Sequence, residues 1–518
     1  MSASREKKQR QSAGPDSKAL RAQQEQAARR RTTIIYSAIA AVIAVLVIAL
    51  LVWRSGFFQA RASAATLGDE TLTAAELSFY YYNARSYYAG YGIIDTSKAD
   101  EEQFYNESEG KTYRDYFLEE ALKTAQQSKA LAEQAKADGH TEDEVKDQVD
   151  AFVASLKAQA ASNGLGYGAY LKARFGPYMS AGVMEKLYTR LQMAGLAAND
   201  KYEALFDSYQ QSDLDAYYEE NKDSLDTVEF SCLYFAIPTV NEKDEEGNEL
   251  AEDELNKRKE EAKANAKKDA EDALKAVEGG ATFQSQIDKY ELAPSSNYNN
   301  VDHVKVVGTS SINSAYREKL LALDKDACEL VETDSGFYVI SFHDRYLVDE
   351  STRDVRHILA MAESTTGEDN KLVAPTDEAW AAAKAKMDEI QAAWDESGKT
   401  EDDFAKLANE KSDDGGSNTK GGLYERNPKD KLVPEFDEWV FDAARKSGDV
   451  GMVQHSAEEG ATSGYYGYHL IYFVGENEPV WMGTAREALA KEARDTWMEE
   501  MGNGVTAALT DGAGYLGK

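Results

Sequence analysis

The chain has 518 residues, 42% of them hydrophobic and 29% charged, with 58 Lys and Arg against 92 Asp and Glu and a net charge of −34. The length predicts three to four domains, and the composition supports packed cores rather than wholesale disorder. The acidic balance excludes a general nucleic-acid binder, because phosphate binding needs a basic surface. Two cysteines, Cys232 and Cys328, exclude a disulfide framework and a zinc site with several Cys ligands, and eight prolines exclude collagen-like and proline-linker classes.

Residues 1–31 hold nine Lys and Arg but three acids. Thr33–Trp53 follows, TIIYSAIAAVIAVLVIALLVW, 21 residues without a charge. At about 1.5 Å per helical residue it spans roughly 30 Å, one bilayer core. The basic flank lies before it, which keeps residues 1–32 in the cytoplasm. The expectation is therefore a single-pass protein of the cell membrane, with an anchor at 33–53 and an extracytoplasmic ectodomain. The apolar run exceeds the ~7–15 residues of a signal sequence, so the anchor is expected to stay uncleaved, although Ala60-Arg61-Ala62-Ser63-Ala64 has the small-residue pattern of a cleavage site. The absence of a nearby Cys excludes a lipoprotein anchor. Beyond Arg54, 48 cations face 89 acids, a net charge of −41. Cys232 and Cys328 are expected as buried free thiols, with an extracellular disulfide as the alternative.

Residues 65–215 read as mostly helical. Apolar residues recur at three- and four-residue spacing within Tyr116–Ala137 (Phe117, Ala121, Ala125) and within Glu142–Ala161 (Val145, Val149, Val153, Leu156). The run FYYYNARSYYAGYG, Phe79–Gly92, is either a helix with aromatic core contacts or a surface suited to many unrelated chains, since Tyr combines an apolar body with a polar tip.

Two segments with one plan follow, at 222–347 and 351–478. Each opens on a short apolar strand (Glu229–Ile237; Val355–Ala362) and continues with a long charged or Ala-rich helix. Each then has an amphipathic piece around a central Phe (Phe283; Phe404) and closes on a Gly-led strand (Gly336–Phe342; Gly467–Phe473). The repeat is too long for a solenoid unit and predicts two domains of one fold. Asn241–Gly280 reads as a charged loop running into an exposed helix. Ala485–Leu509, with Leu489, Trp497 and Met501, reads as a helix that folds back onto the first domain.

The second segment resembles the parvulin-type peptidyl-prolyl isomerases. The matching pieces are RHIL (Arg356–Leu359), FAKLA (Phe404–Ala408), SDDGGSNTKGGL (Ser412–Leu423), LVPEFDEWVF (Leu432–Phe441) and GYHLI (Gly467–Ile471), in the family's order and spacing. The wider layout resembles membrane-bound foldases of the PrsA and SurA kind. The resemblance implies an α+β protein: a transmembrane helix, a helical chaperone domain at 65–215, two parvulin-like domains, each a small antiparallel sheet with surrounding helices, and a C-terminal helix at 483–518. It implies isomerisation of X-Pro bonds in unfolded exported polypeptides, with no cofactor and no metal.

For the site, the resemblance implies a hydrogen-bonded pair, His357 and His469, whose tautomers are set by each other and by nearby hydroxyls. Asp413 or Asp414 would face the substrate carbonyl, with Asp414 slightly favoured by register. Leu432 and Phe436 match the apolar prolyl cup, and Phe441 a position beside it. Plainer readings stand beside these: core histidines, a turn at Ser412–Gly416, and simple packing for Leu432, Phe436 and Phe441. Three departures are visible. The central loop reads Gly421-Gly422-Leu423-Tyr424, one residue short. The hydroxyl residue expected five positions before the last His is Gly464. No Arg or Lys cluster follows RHIL, so no phosphate requirement is expected. The first repeat has Cys232 and Tyr338 where the two His would stand, and SSNYNN (Ser295–Asn300) without the acid, so it is expected to be silent. The rival readings are a holdase chaperone or an envelope scaffold whose parvulin folds are both inactive. Gly512–Gly517 fits G-x-G-x-x-G but is not expected to bind a dinucleotide, because no strand precedes it and no helix can follow it.

Overall fold

The computed structural model describes residues 17–243, 246, 248–293, 303–367, 370–458 and 460–517. The chain divides into two compact units, one reaching Asp207 and resuming at Ala490, the other spanning Ser208–Leu489.

In the first unit, helix α1 (Ser17–Arg54) contains the one segment among the described residues, Arg30–Arg54, that is long and apolar enough to cross a membrane. The Ile, Val and Leu side chains of that segment are exposed, apart from the half-buried Val52. Gly56, at φ 76°, ends the run. Strand β1 (Ser63–Leu67) pairs with β2 (Glu70–Thr73) on one side. Thr73 then starts α2 (Ala74–Gly90) through a reciprocal cap with Glu76, and Thr112 starts α3 (Tyr113–Ala137) with Asp115 in the same way. Helices α4 (Lys146–Ser162), α5 (Tyr167–Phe175) and α6 (Ala181–Phe206) complete a core built on Leu77, Phe117, Leu171 and Leu187. The Tyr-rich run splits along α2. Phe79, Tyr80 and Tyr81 are buried, whereas Tyr87 and Tyr91 are exposed, as are Ile93, Phe104 and Tyr105 beyond the helix.

The second unit begins with α7 (Gln211–Leu225) and then builds two four-stranded antiparallel sheets. The first uses β3 (Thr227–Ala236), β4 (Val304–Val307), β5 (Cys328–Glu332) and β6 (Gly336–Tyr346), in the order β4-β3-β6-β5. Helices α8 (Glu252–Glu278) and α9 (Phe283–Tyr290) cover one face, and α8, highly charged elsewhere, seats Ala266, Ala270 and Ala273 on it. The second sheet uses β7 (Ser351–Met361), β8 (Leu423–Asn427), β9 (Val450–Ser456) and β10 (Tyr466–Pro479), in the same order β8-β7-β10-β9. Helices α10 (Asp377–Glu396) and α11 (Glu401–Lys411) pack Met387, Ile390, Trp394 and Phe404 against one face, and α12 (Pro434–Val440) packs Phe436 and Val440 against the other.

Each central strand outruns its apolar stretch. The added ends, such as Asp344–Tyr346 and Ser351–Arg353, are mostly polar, but they still pair in the ladder. The last helix, α13, covers Val480–Asn503 and stops short of the expected Leu509. Two glycines, Gly502 and Gly504, lie at its end. Ala507–Leu509 then forms a strand against β1, and Trp497 and Met501 pack with Leu131, Ala135 and Met193 of the helical unit. A strand therefore does precede the glycine-rich end. A 3-10 turn, Asp511–Tyr515, follows it, and a side chain at Gly512 would collide with the Ser63 carbonyl.

Candidate active site

The site grows from the register of β7 and β10. His357 lies opposite Ile471 and His469 opposite Leu359, so both imidazoles stand on one face of the sheet centre. Their Nδ1 atoms are 3.2 Å apart, and both rings are buried. Helix α12 closes over them. Pro434 sits in its first turn, and Phe436 meets the rings of His357 and His469 edge-on at 5.6 and 5.2 Å.

The loop after α11 supplies the acid. It is pinned along β7, with Ser412 Oγ accepting from the Leu359 N–H and the Asp413 N–H donating to the Leu359 carbonyl. Adjacent residues then diverge. Asp414 Oδ2 lies 3.0 Å from His357 Nε2 and also accepts from the hydroxyls of Ser417 and, at 3.1 Å, Tyr424. Asp413 instead accepts from the Met361 N–H and pairs with Lys386. Of the two candidates, the structure brings Asp414 to the histidines and leaves Asp413 at the strand end.

These contacts fix a proton order. A carboxylate only accepts, so His357 carries its proton on Nε2. His357 Nδ1 is then an acceptor, and His469 donates to it from its own Nδ1. His469 Nε2 is left as an acceptor for the Tyr465 hydroxyl at 3.0 Å. The chain Tyr465–His469–His357–Asp414 thus runs in one direction, with both imidazoles neutral. Electrostatics agree. Burial, then the neighbouring His357, pushes His469 down to about 3. Burial also lowers His357, against the pull of Asp414. Burial alone would raise the Asp414 carboxyl, but hydrogen bonds from Ser417 and Gly416, with His357 and Tyr424, hold it at about 2. Burial raises both Tyr424 and Tyr465 to about 12.

A pH dependence follows. Between the unperturbed histidine value of 6.5 and about 3, the unfolded chain binds a proton that His469 refuses when folded, and the lowered His357 acts in the same direction. Stability is therefore fully present above pH 6.5 and is lost as pH falls, by up to about 1.4 kcal/mol per pH unit for each histidine. Asp414 acts with the same sign below about pH 4. Urea midpoints at pH 7, 5.5 and 4 are expected to fall in step, and the fall is expected to shrink in His469→Gln.

Of the cup residues, Phe436 touches the imidazoles, while Leu432 and Phe441 are half-buried against the cluster of Val355, Phe436, Val440, Ile471 and Phe473. Ser417, Tyr424 and Tyr465 were not among the expected site residues. The available signals were Ser417 three positions after Asp414 and Tyr465 beside the missing hydroxyl at Gly464. Among the described residues, no group of three or more His, Cys, Asp or Glu is arranged to hold a metal ion.

In the first sheet the register is the same: Cys232 lies opposite Ile340, and Tyr338 opposite Tyr234. Both positions are buried in a core with Tyr316 and carry no imidazole. Burial pushes the Cys232 thiol up to about 12, which leaves it an inert core residue. Both cysteines are free. Cys328 lies opposite Ser341, one position from the Ile340 that faces Cys232, so the two thiols sit on opposite faces and on strands separated by β6. Ser295–Asn300 lies outside the described residues.

Residues 239–346 and 348–473 each match the family described as PPIC-type PPIASE domain. No curated protein matches the chain. Among solved structures, it is similar to the PrsA peptidylprolyl isomerase of Bacillus cereus, at 14% identity over 46% of this chain and 74% of that one, with a TM-score of 0.21. It is also similar to PrsA of Bacillus anthracis, at 11% identity over 43% and 78% with a TM-score of 0.18. A third similar structure comes from work on two SurA-like chaperones of Campylobacter jejuni, at 15% identity over 41% and 75% with a TM-score of 0.16. With two matching stretches and two sheets of one topology, residues 239–346 and 348–473 are two domains of the PPIC-type, or parvulin, family of peptidyl-prolyl isomerases.

Proposed function

We propose that the chain is a membrane-anchored, extracytoplasmic peptidyl-prolyl isomerase and chaperone of exported polypeptides, with its second parvulin domain catalytic and its first silent. The observation that carries this reading is the one-directional chain from Tyr465 through His469 and His357 to Asp414, held under Phe436 and lacking any counterpart at Cys232 and Tyr338.

An X-Pro bond prefers trans by only about 0.5–1 kcal/mol, yet it exchanges over tens to hundreds of seconds because amide resonance sets a barrier of ~18–20 kcal/mol. A catalyst needs no nucleophile here. It holds the prolyl ring and favours the twisted amide over either planar form. Phe436, with Leu432 and Phe441 packed around it, offers the apolar cup. Asp414 orients the His pair and puts negative potential where the planar amide oxygen carries most charge, which disfavours the resonance form. The buried face excludes water that would otherwise stabilise the planar carbonyl. Asp413, tied to Lys386, takes no part in the reaction.

The exposed apolar surface of Arg30–Arg54 after a basic tail supports anchoring by residues 33–53 with the N-terminus in the cytoplasm. Retention of the anchor is supported by β1, which starts at Ser63 and buries Ala64, so processing at Ala62 or Ala64 would cut at the edge of a paired strand. The exposed Tyr87, Tyr91, Ile93, Phe104 and Tyr105 support contact with unfolded clients.

The test is exchange spectroscopy on an X-Pro tetrapeptide with the full chain in detergent micelles. The expected result is cis/trans exchange well above the uncatalysed rate, falling about 10²-fold in His469→Ala. A folded wild-type chain with no acceleration would make the protein a holdase, with the aromatic surface of the helical unit as its working part.

A further inference from the structure

The turn before β10 has no room for the hydroxyl residue expected at 464. Gly464 has φ +133°, and a side chain there would press on Ala457 at 3.0 Å and Leu372 at 3.5 Å. The hydroxyl instead comes from Tyr465, on a longer side chain at the mouth of the β9–β10 hairpin. A ring in that position has several rotamers open to it unless something packs beside it. What packs beside it is a third imidazole. His455 lies opposite Gly467 on β9, on the face that carries His469, is 8% exposed, and has its ring centre 4.8 Å from that of Tyr465. His455 Nδ1 is 3.0 Å from Glu435 Oε2, and Glu435 is the residue before Phe436 in the first turn of α12.

We propose that Glu435, His455 and Tyr465 form a positioning arm: Tyr465 sets His469, and His455 and Glu435 act only through Tyr465. The argument is one of geometry. The Glu435 carboxylate takes the Nδ1 proton of His455 and so fixes the plane of that ring. The fixed ring limits where Tyr465 can lie. Tyr465 then places its hydroxyl on His469 Nε2 and holds the tautomer that the rest of the chain requires. Burying an imidazole as plain filler would cost desolvation that a phenyl ring avoids. Here the imidazole also joins the helix that carries the prolyl cup to β9, the strand paired with the one that carries His469. Burial raises the Glu435 carboxyl, but the bond from His455 outweighs it and holds the group below its ordinary value.

The inference rests on reading the His pair as an isomerase site, so its test includes a readout independent of turnover. Nitrogen-resolved imidazole NMR of the full chain in micelles reports the protonated atom of His469 directly. The wild type is expected to carry its proton on Nδ1, with a hydrogen-bonded Nε2. Tyr465→Phe is expected to lose that Nε2 signature and to lower kcat about tenfold, the worth of one hydrogen bond at the site, with KM within about twofold. His455→Phe, which keeps the volume, and Glu435→Ala are expected to move both readouts the same way by a smaller factor. Glu435→Gln, which retains an acceptor, is expected to restore most of the effect. An unchanged His469 signature and kcat in folded Tyr465→Phe overturns the arm. A change in Tyr465→Phe without any in His455→Phe and Glu435→Ala removes those two residues from it. If the wild type turns over no peptide, the isomerase reading fails, while the His469 signature still decides the arm.

Discussion

Asp414→Asn is expected to lower kcat/KM for an X-Pro peptide about 10²-fold in a protein that remains folded, a loss of ~2.7 kcal/mol of transition-state stabilisation. The substitution preserves shape, removes the negative charge and turns one acceptor into a donor. Oδ2 of Asp414 receives three donors: His357 Nε2, the Ser417 hydroxyl and the Tyr424 hydroxyl, while Oδ1 receives the Gly416 N–H. A carboxylate satisfies all four. An asparagine presents its NH2 to one side or the other, so a donor meets donors in either orientation. The least costly repair is to move the His357 proton from Nε2 to Nδ1. That puts two protons between His357 and His469, whose Nδ1 atoms are 3.2 Å apart, unless His469 also changes tautomer and gives up its acceptor for Tyr465. Every link is therefore disturbed by one atom. Ser417→Ala and Tyr424→Phe each remove one donor but leave the direction of the chain intact, so each is expected to lose no more than about tenfold. Steady-state exchange rates for the three variants decide the ordering. Equal, small losses would mean that neither the charge of Asp414 nor the proton order it sets carries the catalysis.

Much of this arrangement was legible in the amino-acid string, and the parts that were not share physical causes. The facing strands stood out as apolar runs, and the two histidines through the resemblance carried by Arg356–Leu359 and Gly467–Ile471. Phe283 and Phe404 were legible as single large apolar residues in charged helices. Strand ends were not, since Asp344–Tyr346 and Ser351–Arg353 pair through their backbones and carry no run of apolar residues. The close of α13 was misread because Ala507–Leu509 is as compatible with a helix as with the strand that β1 imposes on it. Asp413 and Asp414 were indistinguishable because they are neighbours in a turn, and only the pinning of Ser412 and Asp413 along β7 decides which one reaches His357. Ser417, Tyr424 and Tyr465 escaped notice because their reach depends on side-chain length and turn geometry, which spacing does not record. The central loop, which departs from the family's pattern, delivers Tyr424 to the acid.

That loop also predicts the largest effect on stability. Gly422→Ala is expected to destabilise the second parvulin domain by about 3–5 kcal/mol and to abolish the site, because two separate penalties coincide there. Gly422 has φ +69°, in the left-handed region that an L side chain enters at a cost of roughly 1 kcal/mol. Its added Cβ would also run into the His357 carbonyl oxygen and stand 3.0 Å from Ala408 Cβ. Neither can yield cheaply. The first is backbone in a central strand, and the second lies on a buried helix face. The Gly422 carbonyl accepts from the His357 N–H and its own N–H donates to the Ser417 carbonyl, so moving the glycine unpairs the strand that carries His357 and the loop that carries Asp414. Two controls separate the terms. Gly448→Ala has the left-handed strain alone, at φ +90° with only the Tyr472 hydroxyl at 3.9 Å, and is expected to cost about 1 kcal/mol. Gly415→Ala, in the same loop as Asp414 but with nothing within 4 Å, is expected to stay within about 0.5 kcal/mol. Urea titrations followed through Trp394, packed on Phe404 beneath this sheet, read all three. If Gly422→Ala costs no more than Gly448→Ala, the strand edge is free to move, and the close approach that brings Tyr424 onto Asp414 is not enforced by the backbone.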